Sequence, residues 1–163
     1  MLRVDQAGEF GAIRIYAGQL AVIGDRHPVA RAIARMAEQE ERHRRRFDRM
    51  LSDRQVRPTA LTPLWHAAGF ALGAATALIG PKAAMACTAA VETEIDRHYG
   101  AQLDRLDGSD PELEEVIAEF RAEEVEHRDT AIDMGAEQAP AYPLLSAAIR
   151  LGCRVAIGLS ERI

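Results

Sequence analysis

The sequence predicts an all-α protein built around a four-helix bundle, and three observations carry that reading. Seven prolines (Pro28, Pro58, Pro63, Pro81, Pro111, Pro140 and Pro143) divide the 163 residues into stretches rich in Ala, Leu, Ile, Glu, Arg and Gln, the good helix formers. No stretch alternates apolar and polar residues as a half-buried strand does, and Asp107-Gly108 reads as a helix-ending turn. The chain also repeats itself. A shift of 83 residues lays Glu9 on Glu92, Arg14 on Arg97, Tyr16 on Tyr99, Gln19 on Gln102, Leu20 on Leu103 and Pro28 on Pro111.

The six expected helices lie near 3–24, 29–53, 62–79, 82–106, 111–136 and 142–160. The first two form one helical hairpin, about 3–53, and the fourth and fifth form its repeat, about 82–136. Each hairpin carries one Glu early in its first helix and Glu-x-x-His midway along its second. One residue of slippage places Glu40–His43 on Glu124–His127. The link, 54–80, is long and holds an apolar helix of its own. A long crossover of this kind is what a ferritin-like topology requires, so the whole of 1–163 is expected to be a single ferritin-like domain with an added C-terminal amphipathic helix at about 142–160.

Glu and His three residues apart share a helix face, so one metal ion can take both. A single Glu-x-x-His is weak evidence in a Glu-rich chain; the matched spacing is stronger. Glu9 to Glu40 is 31 residues and Glu92 to Glu124 is 32, which brings all four to one level of two antiparallel hairpins. The expected ligand set is Glu9, Glu40, His43, Glu92, Glu124 and His127, the pattern of di-iron carboxylate bundles. Four carboxylates and two neutral imidazoles balance two divalent cations, and oxygen and imidazole donors suit iron or manganese. Metal binding also accounts for the acidic crowd in EFRAEEVEHRDTA (119–131), which repels itself as a bare helix. His127 has Glu123 and Glu124 in reach, but only the acid three residues before His recurs at His43. Glu124 is therefore the ligand, and Glu119, Glu123 and Glu126 are read as solvated, Glu123 alternatively as an outer contact.

Tyr16 and Tyr99 follow the single glutamates by two helical turns. They read first as core tyrosines and second, with His98, as contacts to substrate or to the ligands. His27 and His66 read as turn or surface residues, and Gly8 and Gly11 leave little bulk beside Glu9. The net charge of −5 gives no sign of a nucleic-acid partner, and the cluster Arg42, Arg44, Arg45, Arg46 and Arg49 reads as a solvated face. Cys87 and Cys153 form no CxxC and are expected as buried free thiols in a reducing compartment. No secretory leader is expected before the charged RVDQ.

Leu64 to Gly80 is apolar apart from His66 and Thr76, yet short for a membrane span, for which ~20 residues are needed. In the last helix, Leu144, Leu145, Ala148, Ile149, Gly152, Val155, Ala156 and Leu159 are expected along one stripe, with Arg150 and Arg154 off it. Either helix alone fits ordinary bundle packing. Two of them on one bundle point to a peripheral membrane enzyme with a lipophilic substrate.

The segments VDQAGEFGAIRIYAGQLAV, ACTAAVETEIDRHYGAQL, AEEVEHRD and APAYPLLSAAIRLGCRVAIGLSERI resemble the demethoxyubiquinone hydroxylases of ubiquinone biosynthesis. The resemblance runs through essentially the whole chain, with no departure at the six ligand positions. Glu9 comes almost at once, which implies a shortened chain or a short bacterial form. The resemblance implies a di-iron monooxygenase that hydroxylates the ring of a polyprenylated methoxy-methyl-benzoquinol with O2. It further implies electrons from NADH or the quinol itself and a lipid-binding accessory protein that delivers substrate; a homo-oligomer is left open as a further partner. The expected location is the cytoplasmic face of a bacterial inner membrane or the matrix face of the mitochondrial one. No Gly-rich dinucleotide loop is present. The competing readings are ferritin-like iron storage, a rubrerythrin-like peroxidase, a metal-free helical adaptor, or an oxygenase of another lipophilic substrate. The lack of a CxxC pair and the apolar crossover helix argue against storage and peroxidase.

Overall fold

A computed structural model describes residues 1–163 and contains helices only. In chain order these are α1 (Leu2–Ile23), α2 (Pro28–Asp53), α3 (Thr62–Ile79), α4 (Pro81–Leu106), α5 (Pro111–Asp133) and α6 (Tyr142–Ser160), with a 3₁₀ turn at Ala136–Gln138. Five prolines sit in the first turn of a helix (Pro28, Pro63, Pro81, Pro111 and Pro143), where the missing N–H costs nothing. His27 caps α2 by accepting from the Val29 amide at 3.2 Å, and Asp110 caps α5 through the Leu113 amide.

The expected boundaries hold within a residue except at the end of α5. That helix stops at Asp133 rather than 136, because Gly135 adopts φ 92° and its amide turns back to the Ile132 carbonyl at 2.9 Å.

The hairpin α1–α2 packs against the hairpin α4–α5, and the buried side chains between them form layers. One apolar layer gathers Tyr16, Val29, Ile33, Met36 and Met85; another gathers Phe47, Met50, Tyr99, Ile117 and Phe120. Polar side chains that are almost wholly buried lie between these layers: Glu9, Glu40, His43, Glu92, Glu124 and His127 are each at most 3% exposed.

The crossover helix α3 lies on α1 with backbone touching backbone. A Cβ at Gly73 would stand 1.9 Å from the Ile15 carbonyl oxygen, and one at Gly18 would stand 2.2 Å from that of Phe70. Only glycine allows this approach.

Helix α6 lies on α4, and here the expected stripe is corrected. Leu145, Ile149 and Ala156 turn inward, whereas Leu144, Leu151, Val155 and Leu159 face outward. Arg150 and Arg154 do not form an outer polar face; both reach Glu94 of α4, at 2.7 and 2.9 Å. A buried carboxylate needs a counter-charge more than the helix surface needs a polar stripe. Both α3 and α6 are long and apolar enough to pass for membrane spans by length and composition, with mean hydropathy 1.2 and 1.3. Their outer faces leave Leu78 75%, Leu144 74% and Leu151 61% exposed.

Candidate metal centre

Four helices each deliver their ligand candidates to one layer: α1 gives Glu9, α2 gives Glu40 and His43, α4 gives Glu92, and α5 gives Glu124 and His127. The donor atoms fall into two groups, each within a 4.8 Å span. One is Glu9, Glu40, His43 and Glu124; the other is Glu40, Glu92, Glu124 and His127. Glu40 and Glu124 belong to both.

The atoms divide as cleanly as the residues. His43 Nδ1 lies 3.4 Å from Glu9 Oε2, 4.0 Å from Glu40 Oε2 and 3.2 Å from Glu124 Oε1. His127 Nδ1 lies 3.1 Å from Glu40 Oε1 and 3.3 Å from Glu124 Oε2. Each shared carboxylate therefore turns one oxygen to each imidazole.

Contacts around the layer fix this orientation. Tyr16 donates to Glu92 Oε1 at 2.6 Å, and Tyr99 donates to Glu9 Oε1, so one oxygen of each single glutamate is held and the other is left inward. His43 Nε2 meets Glu123 Oε2 at 2.8 Å and His127 Nε2 meets Gln39 Oε1 at 3.0 Å. These partners are acceptors, so each Nε2 carries the hydrogen and each Nδ1 presents a lone pair to the carboxylates. His43 is also stacked on Phe120 with centroids 3.9 Å apart.

The result is a layer of unmet demand. Eight buried atoms here have no hydrogen-bond partner: Glu9 Oε2, both oxygens of Glu40, His43 Nδ1, Glu92 Oε2, both oxygens of Glu124, and His127 Nδ1. Buried polar atoms are normally paired, and acceptors facing acceptors repel. Cations between them resolve both problems, so the residues fit a pair of metal ions. Electrostatics agree. Burial, then the neighbouring Glu124, pushes the Glu40 and Glu92 carboxyls well above the usual range. Burial alone would lower His43, but Glu124 and Glu9 raise it to about 10. Glu124 is pushed up by burial and more than recovered by His127 and His43, ending at about 2. Without metal, protons take the place of cations.

Of the other expected residues, Tyr16 and Tyr99 hold ligand carboxylates, and burial drives both phenols well above 10.0. His98 Nε2 meets Asp5 Oδ1 at 2.9 Å, and Gln102 donates to Asp5 Oδ2 at 2.9 Å. Glu123 is an outer contact rather than a solvated acid, and Glu119 and Glu126 are exposed. The arginine run, expected as a solvated face, lies at the surface but is largely ion-paired, with Arg44 and Arg45 on Glu41, Arg46 on Glu112 and Arg42 on Glu123 at 2.6 Å. Both cysteines are free; Cys87 is buried, but Cys153 is only half-buried, and burial pushes both thiols up to about 12. The sequence reading missed Asp5, whose only signal is the repeated pair Gln19 and Gln102, and Glu94, signalled by two arginines one turn apart on α6.

Beside this layer, between α1, α3, α4 and α6, lies an apolar cavity of about 540 Å³. Gly8 and Val91, the residues before Glu9 and Glu92, are in its wall with Ile95, Leu145 and Ile149. No Cβ contact would arise at Gly8, as expected of an open approach there. Trp65 donates to Ser160 at 3.0 Å across the far part of the same wall. None of Tyr16, His98 and Tyr99 lines it.

A helical bundle with two such linked carboxylate–histidine groups, each of which could hold a metal ion, defines the class: a ferritin-like protein. Within that class, the family model described as ubiquinone biosynthesis protein COQ7 matches residues 1–160, and the chain belongs to this family. It is similar to the 3-demethoxyubiquinol 3-hydroxylase of Rhodospirillum rubrum, 57% identical over 99% of this chain and 76% of the relative. It is also similar to the human NADPH-dependent 3-demethoxyubiquinone 3-hydroxylase, mitochondrial, 52% identical over 100% of this chain and 76% of that protein. The yeast 5-demethoxyubiquinone hydroxylase, mitochondrial, is 45% identical over 100% and 77%.

Proposed function

We propose that this chain is a demethoxyubiquinol hydroxylase of ubiquinone biosynthesis, a di-iron monooxygenase acting at a membrane surface. The observation that supports it most is the sorting of eight unpaired donor atoms into two sets that share Glu40 and Glu124, beside an apolar cavity. Glu9, Glu40, His43 and Glu124 would hold one iron; Glu92, Glu40, Glu124 and His127 the other. Iron bound there supplies the activation of O2 for ring hydroxylation.

The chain's own residues do the rest. Tyr16 and Tyr99 fix the single glutamates, and Gln39 and Glu123 fix the imidazole tautomers. The cavity receives the quinol ring, keeps bulk water away and directs a polyprenyl tail outward between α3 and α6. The outer Leu78, Leu144 and Leu151 suit a lipid surface or a lipid-binding accessory protein. One oxygen atom enters the ring and the other leaves as water, with two electrons and two protons from a reductant. The human relative's name gives NADPH for that role, and a nicotinamide donor is proposed here as well. The site sits on the cytoplasmic or matrix side of the inner membrane.

The test supplies anaerobically iron-loaded chain with demethoxyubiquinol, a nicotinamide or chemical reductant, and ¹⁸O₂. Mass spectrometry is expected to show one labelled oxygen in the ring. Iron oxidation with an unlabelled ring would return the chain to the storage reading.

A further inference from the structure

The two halves of the centre present the same carboxylate and imidazole ligand candidates but differ in the outer partner of each imidazole. Gln39 lies four residues before His43 but accepts from His127; Glu123 lies four residues before His127 but accepts from His43. The outer partners thus cross between α2 and α5, and the repeat has set an amide on one side against a carboxylate on the other. Gln39 also donates to Glu123 at 3.3 Å, which fixes its amide orientation. Arg42, which pairs with Glu123, has Glu126 as its repeat equivalent, so the repeat supplies no second arginine to this pair of outer partners.

We propose that the two cation positions are inequivalent, and that Glu123 makes the position of Glu9 and His43 the tighter one. The inference rests on the dinuclear reading above. A histidine that donates to a carboxylate is a more basic ligand than one that donates to a neutral amide, and such outer partners change metal affinity by about 10–100-fold. Arg42 opposes the effect, but its side chain is 53% exposed and its charge is screened by solvent. The Glu123 oxygen touches the imidazole directly, with no water between. The contact therefore outweighs the screened charge.

Anaerobic titration of the metal-free full chain with Co²⁺, followed by visible absorption and calorimetry, reads each step without turnover. The wild-type chain is expected to bind two ions in resolved steps. E123Q, nearly isosteric at a partly exposed position, should weaken the first step about ten-fold or more and leave the second unchanged. Q39E should strengthen the second. Glu9→Gln identifies the first step and Glu92→Gln the second. R42Q, which removes the counter-ion but keeps the carboxylate, should keep the steps apart. Equal affinities in the wild type, equal weakening of both steps by E123Q, or a merger of the steps in R42Q would overturn the proposal. Binding of fewer than two ions would remove the dinuclear reading itself.

Discussion

Tyr99 donates its hydroxyl hydrogen to Glu9 on the opposite hairpin, although it stands two turns beyond Glu92 on its own helix. Tyr16 does the reverse, reaching Glu92 at 2.6 Å. The single glutamates are thus oriented by their repeat partners' tyrosines, which ties the two hairpins together at the level of the buried carboxylate layer. Tyr16→Phe leaves a buried carboxylate oxygen without a donor, at a cost of about 1–3 kcal/mol. Urea denaturation of the metal-free variant should show that loss, and unchanged stability would mean that water replaces the phenol.

The choice of Glu124 over its neighbours has a direct consequence for metal-linked stability. A cation that binds only the folded chain stabilises it by about 2.7 kcal/mol at a hundred times its dissociation constant. For a chain of this size that is roughly 5–10 °C in Tm. Mn²⁺ or anaerobic Fe²⁺ should produce such a rise in the wild type and in Glu126→Ala, but a much smaller one in Glu124→Ala. Equal rises in the two variants, measured by thermal melts with and without chelator, would refute the assignment.

The gathering of Glu9, Glu40, His43, Glu92, Glu124 and His127 in one buried layer was legible in the sequence because helix periodicity converts spacing into facing, and the internal repeat set Glu124 apart from the partly exposed Glu123. The helix ends were legible because proline marks five of the six starts. What could not be read was which residue of the other hairpin each outer group meets. Gln39 and Glu123 look like partners of the histidines on their own helices, and only packing crosses them over. The arginines of α6 misled for a related reason: Glu94 lies two residues from Glu92, on another side of α4, and nothing local marks it as buried. The break at Gly135 was missed because the apolar pattern continues past it.

Close packing of α3 on α1 sets a steric limit. Gly73→Ala places a methyl carbon 1.9 Å from the Ile15 carbonyl oxygen, so α3 must move away. Overpacking of this sort costs about 1–3 kcal/mol. A lowered Tm with faster amide exchange along α3 is the expected signature. Gly152→Ala, where a Cβ meets nothing, is the control and should lack it.

Cavity filling separates substrate binding from metal binding. Gly152 lines the apolar cavity on α6 and an added Cβ there meets nothing within 4 Å, so Gly152→Leu is the substitution chosen to occupy part of the volume. The variant should bind metal as the wild type does and raise KM for the quinol roughly ten-fold, about 1.4 kcal/mol of lost binding. An unchanged KM would place the quinol elsewhere.

Glu94 gives the fold an acid-sensitive latch. Burial opposes its charge, but hydrogen bonds from Arg154, and then Arg150, hold its carboxyl at about 2 against an ordinary 4.5. A carboxyl whose pKa is lowered in the folded chain stabilises that chain above the unfolded value and loses the contribution as pH falls toward the folded one. The grip of α4 on α6 is therefore complete above about pH 4.5 and declines from there toward pH 2. The metal-site carboxylates respond to acid too, so the measurement is a difference between variants. Glu94→Gln should be less stable than the wild type at pH 6, with the gap closing as pH falls below 4, and with α6 amides already exchanging faster at pH 6. A gap that stays constant across that range would mean that Glu94 acts by packing rather than by charge.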